Sequence, residues 1–102
     1  MHGYYESRAR LFRILGHPGR LRILEMLAIQ PCCVCDLMQQ LNYRQPYVSQ
    51  QLAILREAGL VVGERQGVNI RYRLASPEVL RLVQSERDLP FDDSPSGRSK
   101  RR

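Results

Sequence analysis

The sequence predicts a mainly α-helical domain carrying one small β-hairpin, and three observations support this. First, Val48, Leu52 and Leu55, with Gly59 one turn on, recur at helical spacing within Gln45 to Leu60, so the apolar three form a single buried stripe. Second, Ile70-Arg71-Tyr72-Arg73-Leu74 alternates between apolar and basic residues, the period of a strand with one covered face. Third, glycine and proline fall between the periodic segments at Gly16, Pro18, Pro31 and Gly59, where helices stop and start.

Taken in order, Tyr4 to Gly16 places Tyr5, Ala9 and Phe12 on one side of a first helix, with Leu11 and Leu15 on another. Gly16 ends it, and Pro18 opens a second helix through Leu21, Ile23, Leu24, Leu27 and Ala28. His17 at that junction reads as a boundary residue rather than a ligand. Pro31 ends the second helix, and Cys32-Cys33-Val34-Cys35-Asp36-Leu37 begins a third that runs to about Leu41, with Val34, Leu37 and Leu41 as its core stripe. Asn42-Tyr43-Arg44 is long enough only for a turn before the fourth helix. Helix, three-residue turn and helix make a helix-turn-helix, whose second helix enters the DNA major groove.

Val61 to Arg65 then reads as a strand, Gln66 to Asn69 as a turn and Ile70 to Leu74 as the returning strand. Its outer face is expected to carry Arg65, Arg71 and Arg73. A basic hairpin directly after a recognition helix is a wing, placed to touch phosphates or the adjacent minor groove. Ser76-Pro77-Glu78 opens a last helix through Val79, Leu80, Leu82 and Val83. With little of its own chain left to cover it, that helix is expected to pack with the first helix across a two-fold axis. The domain is thus expected over residues 1–87, followed by a disordered basic tail over 88–102 that ends in Arg98-Ser99-Lys100-Arg101-Arg102. The fold class is a dimeric winged helix-turn-helix.

Charge and chemistry agree. Sixteen Lys and Arg against 10 Asp and Glu give a net charge of +6, which favours polyanions. No apolar run approaches the ~18 residues that span a bilayer, and the first residues lack the apolar core of a signal peptide, so a cytoplasmic protein with no membrane partner is expected. The exposed first turns of the fourth helix carry amides, a hydroxyl and a phenol in place of the Glu and Lys pairs of a solvated face. Gln45, Tyr47, Ser49 and Gln50 are therefore candidates for base contacts, with Arg44, Arg65 and Arg71 for phosphates or groove. An amide-rich surface helix is the bland alternative; the flanking turn and wing argue for DNA. Neither a glycine-rich phosphate loop, nor a Ser/His/Asp set, nor a carboxylate pair is present, and Cys33-Val34-Cys35 has one spacer where thiol redox motifs have two. An enzyme is not expected. A binder working through charge alone would show equal affinity for any duplex at fixed salt.

The pattern resembles the ArsR/SmtB family of small winged-helix repressors. The resemblance rests on Gly16 to Leu27, Cys33-Val34-Cys35-Asp36-Leu37, Val48-Ser49-Gln50-Gln51-Leu52 and Leu55 to Val61, within a span from Tyr4 to Val83. It implies a helical homodimer, an operator that is an imperfect inverted repeat, and repression in the unliganded state. Where the family often has Ser before the recognition-helix Gln this chain has Arg44, and where it often has His this chain has Gln51. Zinc-sensing members use His and carboxylates of the last helix, whereas the histidines here are His2 and His17; cadmium- and lead-sensing members add cysteines from the N-terminal arm, and Met1 to Pro31 has none. Zn, Cd and Pb are correspondingly less favoured as inducers.

Three cysteines within four positions, an odd number in a reducing compartment, read as reactive thiols rather than disulfides. The box resembles that of arsenic-responsive members, where a third cysteine follows at the position of Met38; here the extra thiol precedes it, as Cys32. Cys32, Cys33 and Cys35 can supply three thiolates, a set suited to As(III) or Sb(III). In a continuous helix Cys32 and Cys35 share a face, ~300° apart, while Cys33 points away. One ion gathering all three would then unwind the helix start and move the recognition helices off the ~34–36 Å half-site spacing. The same thiols, near a positive helix end that lowers their pKa, permit an oxidant or persulfide sensor instead.

Overall fold

The computed structural model describes Gly3 to Phe91. Helices α1 (Tyr4–Leu15), α2 (Pro18–Ile29), α3 (Val34–Leu41) and α4 (Gln45–Glu57) are followed by strands β1 (Val61–Gln66) and β2 (Asn69–Leu74) and by helix α5 (Pro77–Arg87). Pro18 sits at the start of α2 and Pro77 at the start of α5, where Ser76 Oγ also accepts the Val79 N–H at 3.2 Å. Asn42 ends α3 in the left-handed conformation at φ 59°, which Asn tolerates better than most residues. The helix-turn-helix reading over α3, Asn42 to Arg44 and α4 is borne out. The expected tail, beyond Phe91, lies outside the described residues, as does His2.

The core joins Ile23, Leu24 and Leu27 of α2, Leu37 of α3, Val48, Leu52 and Leu55 of α4, Val61, Tyr72 and Leu74 of the hairpin and Val83 of α5. Cys32 belongs to it as well. Covering one such side chain is worth about 1.5–3 kcal/mol, and together they hold α4 with one stripe inward.

β1 and β2 pair antiparallel from Val61 opposite Leu74 to Gln66 opposite Asn69. The turn is shorter than expected, Gly67-Val68 alone, with Gly67 at φ 63°; glycine at the first central position is the pattern of a type II′ hairpin. Pairing Arg65 with Ile70 places both on the side of Tyr72 and Leu74, because side chains alternate along a strand. Arg71 and Arg73 lie on the other side. The expectation that all three arginines share one face is corrected by this register.

The last helix also differs from expectation. α5 finds cover within its own chain, burying Val83 against the core. α1 buries no residue. Leu11, Ile14 and Leu15 pack against the core, while Tyr5 and Phe12 are 80% and 63% exposed. The uncovered apolar face is therefore that of α1.

Burial of Glu86 on α5, where Oε2 has no partner, and then the charge of Glu25 push its carboxyl above the ordinary 4.5. A raised folded value contributes stability below the unfolded pKa that is lost as pH rises through the folded one. Glu86→Gln is expected to remove that loss and so raise the melting temperature at pH 7. The gain vanishes at about pH 4; melts showing the same gain at both pH values would contradict the assignment.

Candidate DNA-binding face and cysteine strap

α4 turns Val48, Gln51, Leu52 and Leu55 inward, which leaves Gln45 and Gln50 exposed and Ser49 and Tyr47 half-buried at the margin. Gln45 Nε2 donates to Ser49 Oγ at 3.0 Å, one helical turn on. Arg44, the N-cap, is exposed. Tyr47 is not projected outward with the amides. Its ring meets Tyr43 edge-on at 4.9 Å between centroids and lies 6.4 Å from His17, and it fills the space in which Gly19 would carry a Cβ.

On the wing, Arg65 is exposed. Arg71 donates from Nε to Gln66 Oε1 and from Nη1 to the Pro31 carbonyl, both at 3.1 Å; two of its five donors are thus used inside the protein. Arg73 pairs with Glu64 at 3.3 Å in the open, a contact worth little.

Three cysteines occupy three environments. The third helix begins at Val34, not at Cys32, and Cys33 is its N-cap, forming a capping box with Asp36 in which the Cys33 N–H donates to Oδ2 at 3.1 Å. That bond holds the Asp36 carboxyl below its ordinary 3.8. Cys32 lies in the extended strap before the helix and pairs with β2. Its N–H donates to the Tyr72 carbonyl at 3.0 Å, and the Tyr72 N–H donates back at 2.7 Å. The thiol is 2% exposed and donates to the Gln30 carbonyl at 3.3 Å. Burial, then the negative charge of Asp36, raises its pKa, so the expected activation of Cys32 by a helix end is replaced by a shielded, protonated thiol. Cys35 is exposed on the first turn of α3.

The expected helical geometry for the three thiols is accordingly corrected: Cys32 and Cys35 do not share a helix face. Among the described residues no group of three His, Cys, Asp or Glu side chains is gathered for a metal ion. Cys33 and Cys35 do line one cleft of about 400 Å³, together with Met38, Gln45, Ser49 and the wing residues Val68 and Ile70. Thiols, recognition helix and wing meet there.

The sequence assigns no role to Arg20, and Gln51 stands out there only where the family often has His. Arg20 Nε donates to the Gln51 side-chain carbonyl at 2.8 Å and Nη1 to the Ile14 carbonyl at 3.1 Å. A signal existed, since Gln51 falls at i+3 from Val48 on the buried stripe of α4.

Comparison with known proteins agrees with this architecture. Residues 17–62 match the family described as bacterial regulatory protein, arsR family. The chain is 43% identical over 77 residues to the biofilm growth-associated repressor of Agrobacterium fabrum, covering 76% of this chain and 66% of that one. It is 44% identical over 71 residues to the arsenical resistance operon repressor of Escherichia coli K12, covering 69% and 60%. The chain thus spans about two thirds or less of these two repressors. The Mycobacterium tuberculosis regulator Rv0081 is 36% identical over 80 residues, which cover 78% of this chain and 70% of that one. Its crystal structure superposes with a TM-score of 0.81 over 87% of this chain and 90% of that one, at 33% identity. A Mycobacterium bovis domain described as a homodimeric winged helix-turn-helix superposes at 0.76 over 85% and 87%, at 28% identity. These relatives are regulators and repressors, in line with the expectation that the chain is not an enzyme. No helix of the described residues is long and apolar enough to cross a membrane.

The environments predict an order of alkylation. Iodoacetamide applied to the folded protein should label Cys35 first, Cys33 more slowly and Cys32 only in denaturant, as read by peptide mass spectrometry. Labelling of Cys32 at the rate of Cys35 would contradict its place in the strap.

Proposed function

The chain belongs to the arsR family of bacterial regulatory proteins, and from that membership we propose that it is a homodimeric, sequence-specific repressor. It binds double-stranded operator DNA as an imperfect inverted repeat. The observation that carries this reading is α4, seated by its apolar stripe so that Gln45 and Gln50 face outward beside a wing. Gln50 and Gln45 read bases, with Ser49 and Tyr47 at their margin, and Arg44, Arg65 and Arg71 bind phosphates or groove. The exposed face of α1, with Tyr5 and Phe12, is covered by the second copy, which sets the two recognition helices one DNA turn apart.

As inducer we propose a trivalent metalloid, As(III) or Sb(III), taken by Cys32, Cys33 and Cys35. Arsenite exchanges three hydroxyls for three sulfurs, and each departing hydroxyl leaves as water with a thiol proton. The similarity to an arsenical resistance operon repressor and the softness of three thiolates support the choice. The thiols are not gathered beforehand, so engaging Cys32 requires the strap to leave Tyr72 and the wing to lose its anchor. A ligand favouring that released state shifts the protein away from DNA by its differential affinity.

The shared cleft of Cys33 and Cys35 favours a second reading. There a peroxide or persulfide withdraws two electrons and two protons to join the pair as a disulfide.

Fluorescence anisotropy on a duplex selected by the protein from random sequence tests these readings. Gln50→Ala should lose roughly 10–100-fold on that duplex and little on random DNA; equal losses would remove base readout. Arg65→Ala should weaken both and reduce the salt slope by about 1. Stoichiometric arsenite should release wild-type protein but neither Cys32→Ser nor Cys35→Ser; release by peroxide alone would select the second reading.

A further inference from the structure

We infer that Arg20, with Gly19 beside it, is a positioning element that fixes the rotation and depth of α4 relative to α1, and through it the alignment of the two reading faces. This rests on the proposed reading of α4 as the recognition helix and α1 as the dimer helix.

The placement of Arg20 is unfavourable on its own terms. It lies in the first turn of α2, near the positive end of the helix dipole, and that turn holds no acidic residue. The C-terminal end of α1 supplies compensation. Nη1 donates to the Ile14 carbonyl, one of the terminal carbonyls that a helix leaves unpaired, at the end where a cation is favoured.

The same guanidinium holds α4. Gln51, 5% exposed, is the buried polar residue among those described, and a buried amide is costly unless hydrogen-bonded. Its Oε1 receives Nε of Arg20 at 2.8 Å. One residue thus joins α1, α2 and α4.

A second point of attachment lies one helical turn away. Tyr47 and Gln51 are i and i+4 on one stripe of α4, and Tyr47 rests where a Cβ on Gly19 would stand. Turning α4 by one residue would move both side chains ~100° off their partners. The seat admits one rotation, with Gln50 outward.

The decisive comparison is Arg20→Met/Gln51→Met, which replaces the polar link with apolar packing, alongside Gly19→Ala, which leaves the link intact and displaces Tyr47. Melting temperature and oligomeric state are measured with amide hydrogen exchange over residues 45–57 and with selection of duplexes from random sequence. The double variant is expected to melt near the wild type and keep its oligomeric state. Exchange in α4 should speed at least tenfold, and affinity for the wild-type operator should fall at least tenfold with random-duplex affinity unchanged. The single half-site spacing selected by the wild type should broaden.

Wild-type exchange and operator affinity at matched melting temperature would overturn the assignment. Should the double variant fail to fold, Gly19→Ala decides: faster α4 exchange and weaker operator binding support the seat, and wild-type values for both reject it. If the wild type itself selects no consensus, the repressor reading fails, and exchange alone judges the seat.

Discussion

The inward stripe of α4 is the constraint from which the rest of the structure follows. Val48, Leu52 and Leu55 are buried together with Ile23, Leu24 and Leu27, and because a helix is rigid in rotation, covering one stripe decides what every other side chain faces. Gln45 and Gln50 are exposed because those three are not. The hairpin depends on the same core, since Val61, Tyr72 and Leu74 are its contribution and its tip projects beyond it. The reading face and the wing therefore hold a fixed relation through one shared apolar cluster, with no direct bond needed between them.

The strap before α3 ties the thiols to that arrangement by backbone bonds. Cys32 pairs with Tyr72 in both directions, and Arg71 reaches the Pro31 carbonyl next to it. Adjacent residues 32 and 33 consequently serve different elements, one extending the sheet of the wing and the other capping the helix before the recognition helix. A chemical change at either sulfur acts on a structural joint, because the side chain that reacts belongs to a residue whose backbone holds two elements in place.

Much of this was legible in the chain. The 3.6-residue period of α4, the turn too short for anything but helix-turn-helix geometry and the alternation of β2 each report burial within one element, which periodicity reveals. The start of α3 was not legible, because Cys32 leaves the helix to pair with Tyr72, 40 positions away, and no local pattern announces that partner. The face of Arg65 could have been found: placing it opposite Ile70 is what a two-residue or a four-residue turn both require, and Ile70, Tyr72 and Leu74 already mark the covered side. Charge groups Arg65 with Arg71 and Arg73, whereas strand parity separates it from them. The cover of α5 by its own chain, through Val83, was not legible for a related reason, since a helix's apolar stripe does not say whether its own chain or another supplies the cover.

The unequal exposure of the thiols bears on selectivity in the proposed sensor. A reagent that modifies one sulfur meets Cys35 first, on the surface of α3, where neither the strap nor the wing depends on that side chain. A ligand that requires three sulfurs must also recruit Cys32, which is protonated, buried and hydrogen-bonded to the Gln30 carbonyl. That recruitment opposes binding by the cost of opening the strap, and a ligand shifts a two-state equilibrium only by its differential affinity for the two states. Moving from 1:99 to 99:1 takes about 5.5 kcal/mol, a difference that several arsenic–sulfur bonds can supply and a single solvated contact cannot. On this reading the buried cysteine filters responses, because only a ligand able to use it gains from releasing the wing.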